Sequence, residues 1–156
     1  MADRFVIAPL GALDLDRAAA LHAESFAPFG EHVWTRQELA ELVALPGVAG
    51  LLLQVDGRDA GFAVCQVAAD EAELLTLAVR PAYRRRGGAR QLLAAVIDHA
   101  RARSARALFL EVGVDNPAAR HLYDSLGFHP VGERRAYYQR GQSPPADGIV
   151  MRLNLI

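Results

Sequence analysis

Arg84-Arg85-Arg86-Gly87-Gly88-Ala89-Arg90 is the stretch of this chain best suited to hold a ligand. It follows the apolar run Leu74–Val79, which ends at Arg80-Pro81, and precedes Leu92, Leu93, Val96, Ile97 and Ala100, spaced as one face of a helix. A strand, a basic glycine loop and a helix are expected in that order. The first turn of a helix leaves backbone N–H groups without acceptors, and its dipole favours an anion there. Glycines let those N–H groups come close to a ligand, and arginines add charge and forked donors. The chemistry is that of a diphosphate seated on a helix start. Two further residues stand where chemistry is conceivable. Leu108-Phe109-Leu110-Glu111-Val112 puts a carboxylate inside an apolar strand, and Tyr123 lies in a segment that Asn116-Pro117 opens. Taken alone, Glu111 reads as a solvent-face acid or an arginine's partner, and Tyr123 as a core tyrosine.

The loop is neither of two common phosphate loops. G-x-x-x-x-G-K-[ST] fails because the chain has no lysine, and Gly87-Gly88-Ala89 does not supply G-x-G-x-x-G. It does fit [QR]-x-x-G-x-[GA], through Arg84, Gly87 and Ala89. Asn116-Pro117-Ala118-Ala119-Arg120-His121-Leu122-Tyr123-Asp124-Ser125-Leu126-Gly127-Phe128 fits N-x-x-A-x-x-L-Y-x-x-x-G-F. With these two segments the sequence resembles the GNAT N-acetyltransferases. Within them it is similar to the RimI type, which acetylates the N-terminal alanine of small-subunit ribosomal protein eighteen. The matching residues are Asp70–Val79, the glycine loop, Leu110-Glu111-Val112, the tyrosine segment, Arg134-Arg135-Ala136-Tyr137-Tyr138 and Asp147-Gly148-Ile149-Val150-Met151. Roughly the last ninety residues match well and the first seventy in outline. Tyr137-Tyr138 after two arginines is the most type-specific element. Ala89 in place of glycine, Ala146 before Asp147, an altered Gln139–Asp147 loop and an apparent insertion at residues 27–33 are departures, and they bear on the acceptor more than on the chemistry.

The resemblance implies acetyl-CoA as co-substrate and no metal. Its diphosphate would lie on Arg84, Arg85, Arg86, Gly87, Gly88, Ala89 and Arg90. Its pantetheine arm would run along Leu77-Ala78-Val79 like an added strand, with a backbone N–H near Val79 polarising the thioester carbonyl. Asn116 and Tyr123 would also meet the cofactor. Glu111 would act as general base on the acceptor's ammonium, and Tyr123 as general acid for the thiolate. Tyr137, Tyr138 and Asp147 would line the acceptor side. Other readings stay open: transfer to a small amine or an internal lysine, or a CoA-binding module without catalysis. RNA binding through the Arg80–Arg90 patch lacks the interleaved aromatics that such a surface uses.

These residues need elements to position them. A capping box at Thr35-Arg36-Gln37-Glu38 starts a helix that ends before Pro46-Gly47. An earlier helix covers Asp14–Phe26 behind a strand at Phe5–Ala8; its His22 reads as a surface or packing residue, and the nearby Trp34 as packing. Asp56-Gly57 marks a hairpin between strands Val48–Val55 and Ala60–Ala68, and Glu71–Val79 follows as a third strand. Strands at Ala107–Val112, Phe128–Tyr138 and Gly148–Leu155, with helices at Gln91–Ala100 and after Asn116, complete the order; Gln139–Asp147, with Gly141, Pro144 and Pro145, is expected as a loop. The fold class is α/β: one domain over residues 1–156, with a mixed, mostly antiparallel sheet flanked by helices, as in the GNAT fold.

The totals agree. The chain has 156 residues, 52% apolar, enough for one core, and its net charge of −1 gives no reason to expect nucleic-acid or membrane binding. The charge is uneven, since Arg80 to Arg90 holds five arginines and no acid. Cys65 is the sole cysteine, so no internal disulfide and no multi-cysteine metal site can form. No signal-peptide pattern opens the sequence, and a cytoplasmic protein is expected. The expected partner is a protein N-terminus, and the sequence leaves the oligomeric state open.

Overall fold

The computed structural model describes residues 3–26, 33–140 and 143–156. Asp56 and Gly57 both take positive φ, as a two-residue hairpin turn requires. They join β2 (Val48–Val55) to β3 (Arg58–Ala68), and β4 (Glu71–Val79) returns beside β3. With β1 (Phe5–Pro9), β5 (Ala107–Gly113), β6 (His129–Arg140) and β7 (Ser143–Asn154) they form one seven-stranded sheet, in the order β1-β2-β3-β4-β5-β7-β6. Among the described residues only β4 and β5 pair in parallel, and the other pairs are antiparallel. The mixed, mostly antiparallel sheet expected from the sequence is what forms.

Helices cover both faces. α1 (Leu15–Phe26), behind a single 3-10 turn, buries Leu15, Ala18, Leu21 and Ser25. Thr35 caps α2 (Arg36–Val43): its hydroxyl accepts the Glu38 N–H at 3.1 Å, and Glu38 Oε1 accepts the Thr35 N–H at 3.2 Å. These two helices pack over Leu52, Phe62, Val64 and Ala78. His22 is buried there against Phe26, and its Nδ1 accepts the Trp34 N–H at 3.3 Å, so both residues are packing elements as expected. On the opposite face, α3 (Gly88–Ala102) sets Leu92, Leu93, Val96, Ile97 and Ala100 against Leu53, Ala63, Cys65 and Leu74. Burial pushes the Cys65 thiol up to about 11, which leaves it inert near neutral pH. α4 (Pro117–Ser125) joins this second face through Tyr123, and Asn116 Oδ1 caps it by accepting the Ala119 N–H at 3.2 Å. Each fully buried Leu or Phe contributes about 1.5–3 kcal/mol. The core on the α3 face, which takes in Val79 of β4 with Leu110 and Val112 of β5, holds the sheet together where its hydrogen bonds are interrupted.

The interruption lies between β4 and β5. They pair only at Glu71↔Ala107, Ala72↔Leu108 and Glu73↔Phe109, and then diverge. Within β4 the register against β3 steps from Cys65↔Leu74 to Val64↔Thr76, so Leu75 is an extra, bulged residue. A strand alternates faces at every residue, and one extra residue inverts the alternation. Ala72 and Leu74 accordingly face α3, and so do Leu77 and Val79, although the two pairs differ in parity.

One expectation is corrected here. The loop assigned to Gln139–Asp147 is largely strand: β6 and β7 extend to Arg140 and from Ser143, with Tyr138 opposite Ala146 and Arg140 opposite Ser143. The pairing of β5 with β7 stops at Gly113↔Gly148. The prolines therefore sit where β7 has a partner on one side only, and register shifts accommodate them. The insertion read at residues 27–33 lies almost wholly outside the described residues.

Candidate active site

The gap between β4 and β5 has a chemical edge. The Arg80 N–H donates to the Ala60 carbonyl at 2.8 Å, which makes that pair hydrogen-bonded. By antiparallel alternation Ala78/Phe62 and Thr76/Val64 are hydrogen-bonded pairs too, while Leu77 and Val79 turn their N–H and C=O groups away from β3. They point into the gap, where β5 has already diverged. Val79 C=O accepts from Ser25 Oγ at 3.3 Å and from Arg84 Nε at 3.2 Å. The Leu77 and Val79 N–H groups present an open strand edge of the kind an amide-bearing chain can pair with.

The glycine loop lies at the end of that edge. Arg85 and Gly87 take φ of 64° and 86°, so left-handed residues flank Arg86. Such alternation turns successive N–H groups toward one concavity, which suits an anion. In α3 the first intrahelical bond runs from the Gln91 N–H to the Gly87 carbonyl at 3.0 Å, so the N–H groups of Gly88, Ala89 and Arg90 have no helical acceptor. No side chain caps this helix, and no acid stands in its first turn. Gly88 is buried; a Cβ there would lie 2.9 Å from Leu53 Cδ2. Gly88→Ala is expected to lower stability by about 1–3 kcal/mol by forcing α3 off the sheet, a loss that urea unfolding would register.

The arginines divide. Arg84 was expected among the phosphate ligands, but its guanidinium turns inward to the carbonyls of Val79 (3.2 Å) and Ser25 (3.4 Å). It ties α1 to the end of β4 because two carbonyls there have no strand partner to satisfy them. Arg90 is bound to Ser125 Oγ at 2.7 Å, fixing the start of α3 to α4. Arg86 lies over the Tyr83 ring, 5.3 Å from its centroid, and Arg85 is exposed. The loop thus offers three N–H groups and two outward arginines to an anion, Arg86 being held only at 3.8 Å by Asp3.

Glu111 sits on the other side of the sheet. Leu110 and Val112 face α3 and α4, so Glu111 between them faces away. It lines a cleft of about 290 Å³ with Gln66, Glu71, Glu73, Phe109 and Arg134. Its Oε1 pairs with Arg134 Nε at 3.0 Å, while Oε2 is buried without a hydrogen-bond partner. Burial raises the Glu111 pKa above the usual carboxylate range, Arg134 opposes that rise, and Glu73 adds to it. Of the two ordinary readings of this glutamate, the arginine partner is what forms; its side chain is only 16% exposed and faces a cleft rather than open solvent.

Tyr123 approaches from the α4 side. It is buried, its ring 5.8 Å from that of Phe128, and burial pushes its phenol up to about 12. The phenol is held protonated more firmly than an ordinary tyrosine. Tyr137, half exposed on β6, lies under Arg134 at 5.0 Å. Asp147 accepts the Val114 N–H through its backbone carbonyl at 2.9 Å. Tyr138 is in β6, and its side chain lies outside what is described. Sequence reasoning missed Arg134, Glu71 and Glu73 as cleft residues; the only signal was that acids and an arginine fall inside strands. Among the described residues no cluster of side chains is set to hold a metal.

Residues 16–128 match the acetyltransferase (GNAT) family. This chain is a GNAT acetyltransferase. A [ribosomal protein bS18]-alanine N-acetyltransferase from Salmonella typhimurium is 46% identical over 103 residues, which span 66% of this GNAT chain and 69% of that protein. The crystal structure of the ribosomal-protein-S18-alanine N-acetyltransferase from Escherichia coli superposes with a TM-score of 0.88 at 34% identity, covering 97% of this chain and 94% of that one. A Salmonella typhimurium structure described as a putative acetyltransferase with its cofactor acetyl-CoA shares the GNAT fold, with a TM-score of 0.82 at 21% identity, over 98% and 95% of the two chains. The GNAT match takes in the glycine loop, Glu111 and Tyr123, so the chain is an acyltransferase.

Proposed function

We propose that this protein transfers the acetyl group of acetyl-CoA to the N-terminal α-amine of ribosomal protein bS18, in the cytoplasm. The observation that carries the reading is the placement of Glu111. It is a carboxylate in an acidic cleft at the point where β4 and β5 part, on the sheet face opposite the glycine loop. Donor and acceptor would thus reach the gap from opposite faces. The relatives named for bS18 supply the acceptor's identity.

The residues fit the donor. The N–H groups of Gly88, Ala89 and Arg90, with Arg85 and Arg86, would hold the diphosphate. The open edge of Leu77 and Val79 would hold the pantetheine amides, and Asn116 and Tyr123 would stand beside the cofactor. When bound, acetyl-CoA supplies an activated acetyl thioester. Glu111 takes a proton from the acceptor's ammonium, and Tyr123 holds its phenolic proton ready for the departing sulfur. Tyr137, Tyr138 and Asp147 would flank the acceptor at the β6–β7 end.

The cleft suits a cation, since Glu71, Glu73 and Glu111 outnumber Arg134. An α-amine, with pKa about 7.7–8.0, is roughly one-tenth neutral at pH 7, against well under a thousandth for a lysine near 10.4. A single buried carboxylate can manage the former.

The test is mass spectrometry of the protein with acetyl-CoA and two peptides, one carrying the bS18 N-terminus and one blocked at its N-terminus with internal lysines. The expected result is one acetyl group on the first peptide's α-amine and none on the second. The enzyme has no lysine of its own to add signal. Transfer to the lysine peptide alone would replace this reading with a lysine acetyltransferase.

A further inference from the structure

The proposed mechanism gives Arg134 no task, yet among the described residues it is the one side chain bonded to the proposed base. Its Nε lies 3.0 Å from Glu111 Oε1, while its own side chain is 56% exposed against 16% for the glutamate. An exposed cation thus reaches into the cleft to a carboxylate set back from solvent. Its guanidinium also lies 5.0 Å from the centre of the Tyr137 ring, so one arginine spans an anion and an aromatic face. Holding a long arginine side chain in one geometry costs entropy, which offsets part of the pair's Coulomb energy. Cation–π contact offers the guanidinium a second seat on Tyr137 without full return to water.

We propose that Arg134 is the resting counter-cation of Glu111: in the free enzyme it occupies the position that the acceptor's ammonium takes, and on acceptor binding it withdraws onto Tyr137. This rests on the reading of Glu111 as base. The exchange conserves charge, with one cation leaving the carboxylate as another arrives. It keeps Glu111 ionised and oriented between turnovers, which burial and the neighbouring acids would otherwise oppose. The charged groups around Glu111 are Glu71 and Glu73 on β4 and Arg134 on β6, with Arg152 on β7 stacked on Phe109. Among these only Arg134 is paired with it.

Arg134 is therefore a positioning residue, and its test is a pH profile. Removing an opposite charge at this distance raises a carboxyl pKa by about one unit or more. Glu111 must be ionised to act, so in Arg134→Gln the acid limb of kcat/KM for the bS18 peptide is expected to move up by about that unit, while the rate on the alkaline plateau changes less than about threefold. Arg134→Lys should restore the limb, and Tyr137→Leu should raise the peptide KM without moving it. Carboxyl NMR of 13C-glutamate-labelled protein reads the same shift at Glu111 without turnover. An unmoved Glu111 titration in Arg134→Gln overturns the proposal, as does a rate lowered equally at every pH. If the NMR shift appears but no peptide is acetylated, the exchange with an acceptor and the acceptor assignment both fall, and Arg134 is left as a plain ion-pair partner. If the peptide is acetylated and neither limb nor titration moves, only the role of Arg134 is lost.

Discussion

Glu111→Gln is expected to lower kcat/KM for the bS18 peptide by about 10²–10⁴-fold at neutral pH, the usual worth of a positioned general base. The glutamine keeps the shape of the side chain and loses one ion pair to an exposed arginine, so stability should fall by less than about 1 kcal/mol. The pH dependence separates this from a folding defect. Burial raises the Glu111 pKa, and the base is active only when ionised, so the wild-type rate climbs with pH through a value above the ordinary carboxylate range. The variant should lack that limb and instead follow the ionisation of the peptide's amine near ~8. Kinetics across pH 5.5–9, with a melting curve for each protein, decide the matter. A variant within a few-fold of wild type at neutral pH would remove Glu111 from the chemistry.

Tyr123→Phe has the second-largest expected effect, a fall in kcat nearer the lower end, about 10²-fold. A thiol of pKa about 8.5 leaves more readily than an amine or alkoxide and needs less help. The phenol at about 12 is a weaker acid than free tyrosine, yet the sulfur it faces would sit in the same low-polarity surroundings, which raise a thiol's pKa as well. An acid must hold its proton to act, so activity would fail only as pH rises through about 12. Wild-type kcat should accordingly show no alkaline limb in the assay range. The ring contact with Phe128 survives the substitution, and the KM for acetyl-CoA should change little. A normal kcat in Tyr123→Phe would pass the proton's delivery to water.

Much of this was legible in the sequence because the signals were local. The hairpin turn at Asp56-Gly57, the cap at Thr35 and the apolar stretches fixed β2 and β4 to their end residues. The glycine loop was legible through backbone demands, since Gly87 must be left-handed and Gly88 must lie against Leu53. What failed was whatever depends on a neighbour distant in sequence. Arg84 looked like a phosphate ligand by charge, but Ser25 and Val79 carbonyls claim it across the fold. Pro144 and Pro145 looked like loop residues, because nothing local says that β5 stops short of them. Arg134 stood out only as part of a matching segment, and its pairing with Glu111 was not legible because it depends on register across β7.

The extra residue in β4 gives this site an arithmetic character. Deleting Leu75 would keep the composition of the strand nearly intact and leave Leu74 opposite Cys65, Thr76 opposite Val64 and Leu77 opposite Ala63, yet it would remove the bend that a bulge puts into β4 just where β5 parts from it. No substitution along β4 has that effect. The gap between β4 and β5 is thus written as a length, the number of residues between Glu71 and Arg80. A shift of one in that number would straighten β4 and let β5 run on beside Leu77 and Val79, while leaving the glycine loop, Glu111 and Tyr123 unchanged in the sequence.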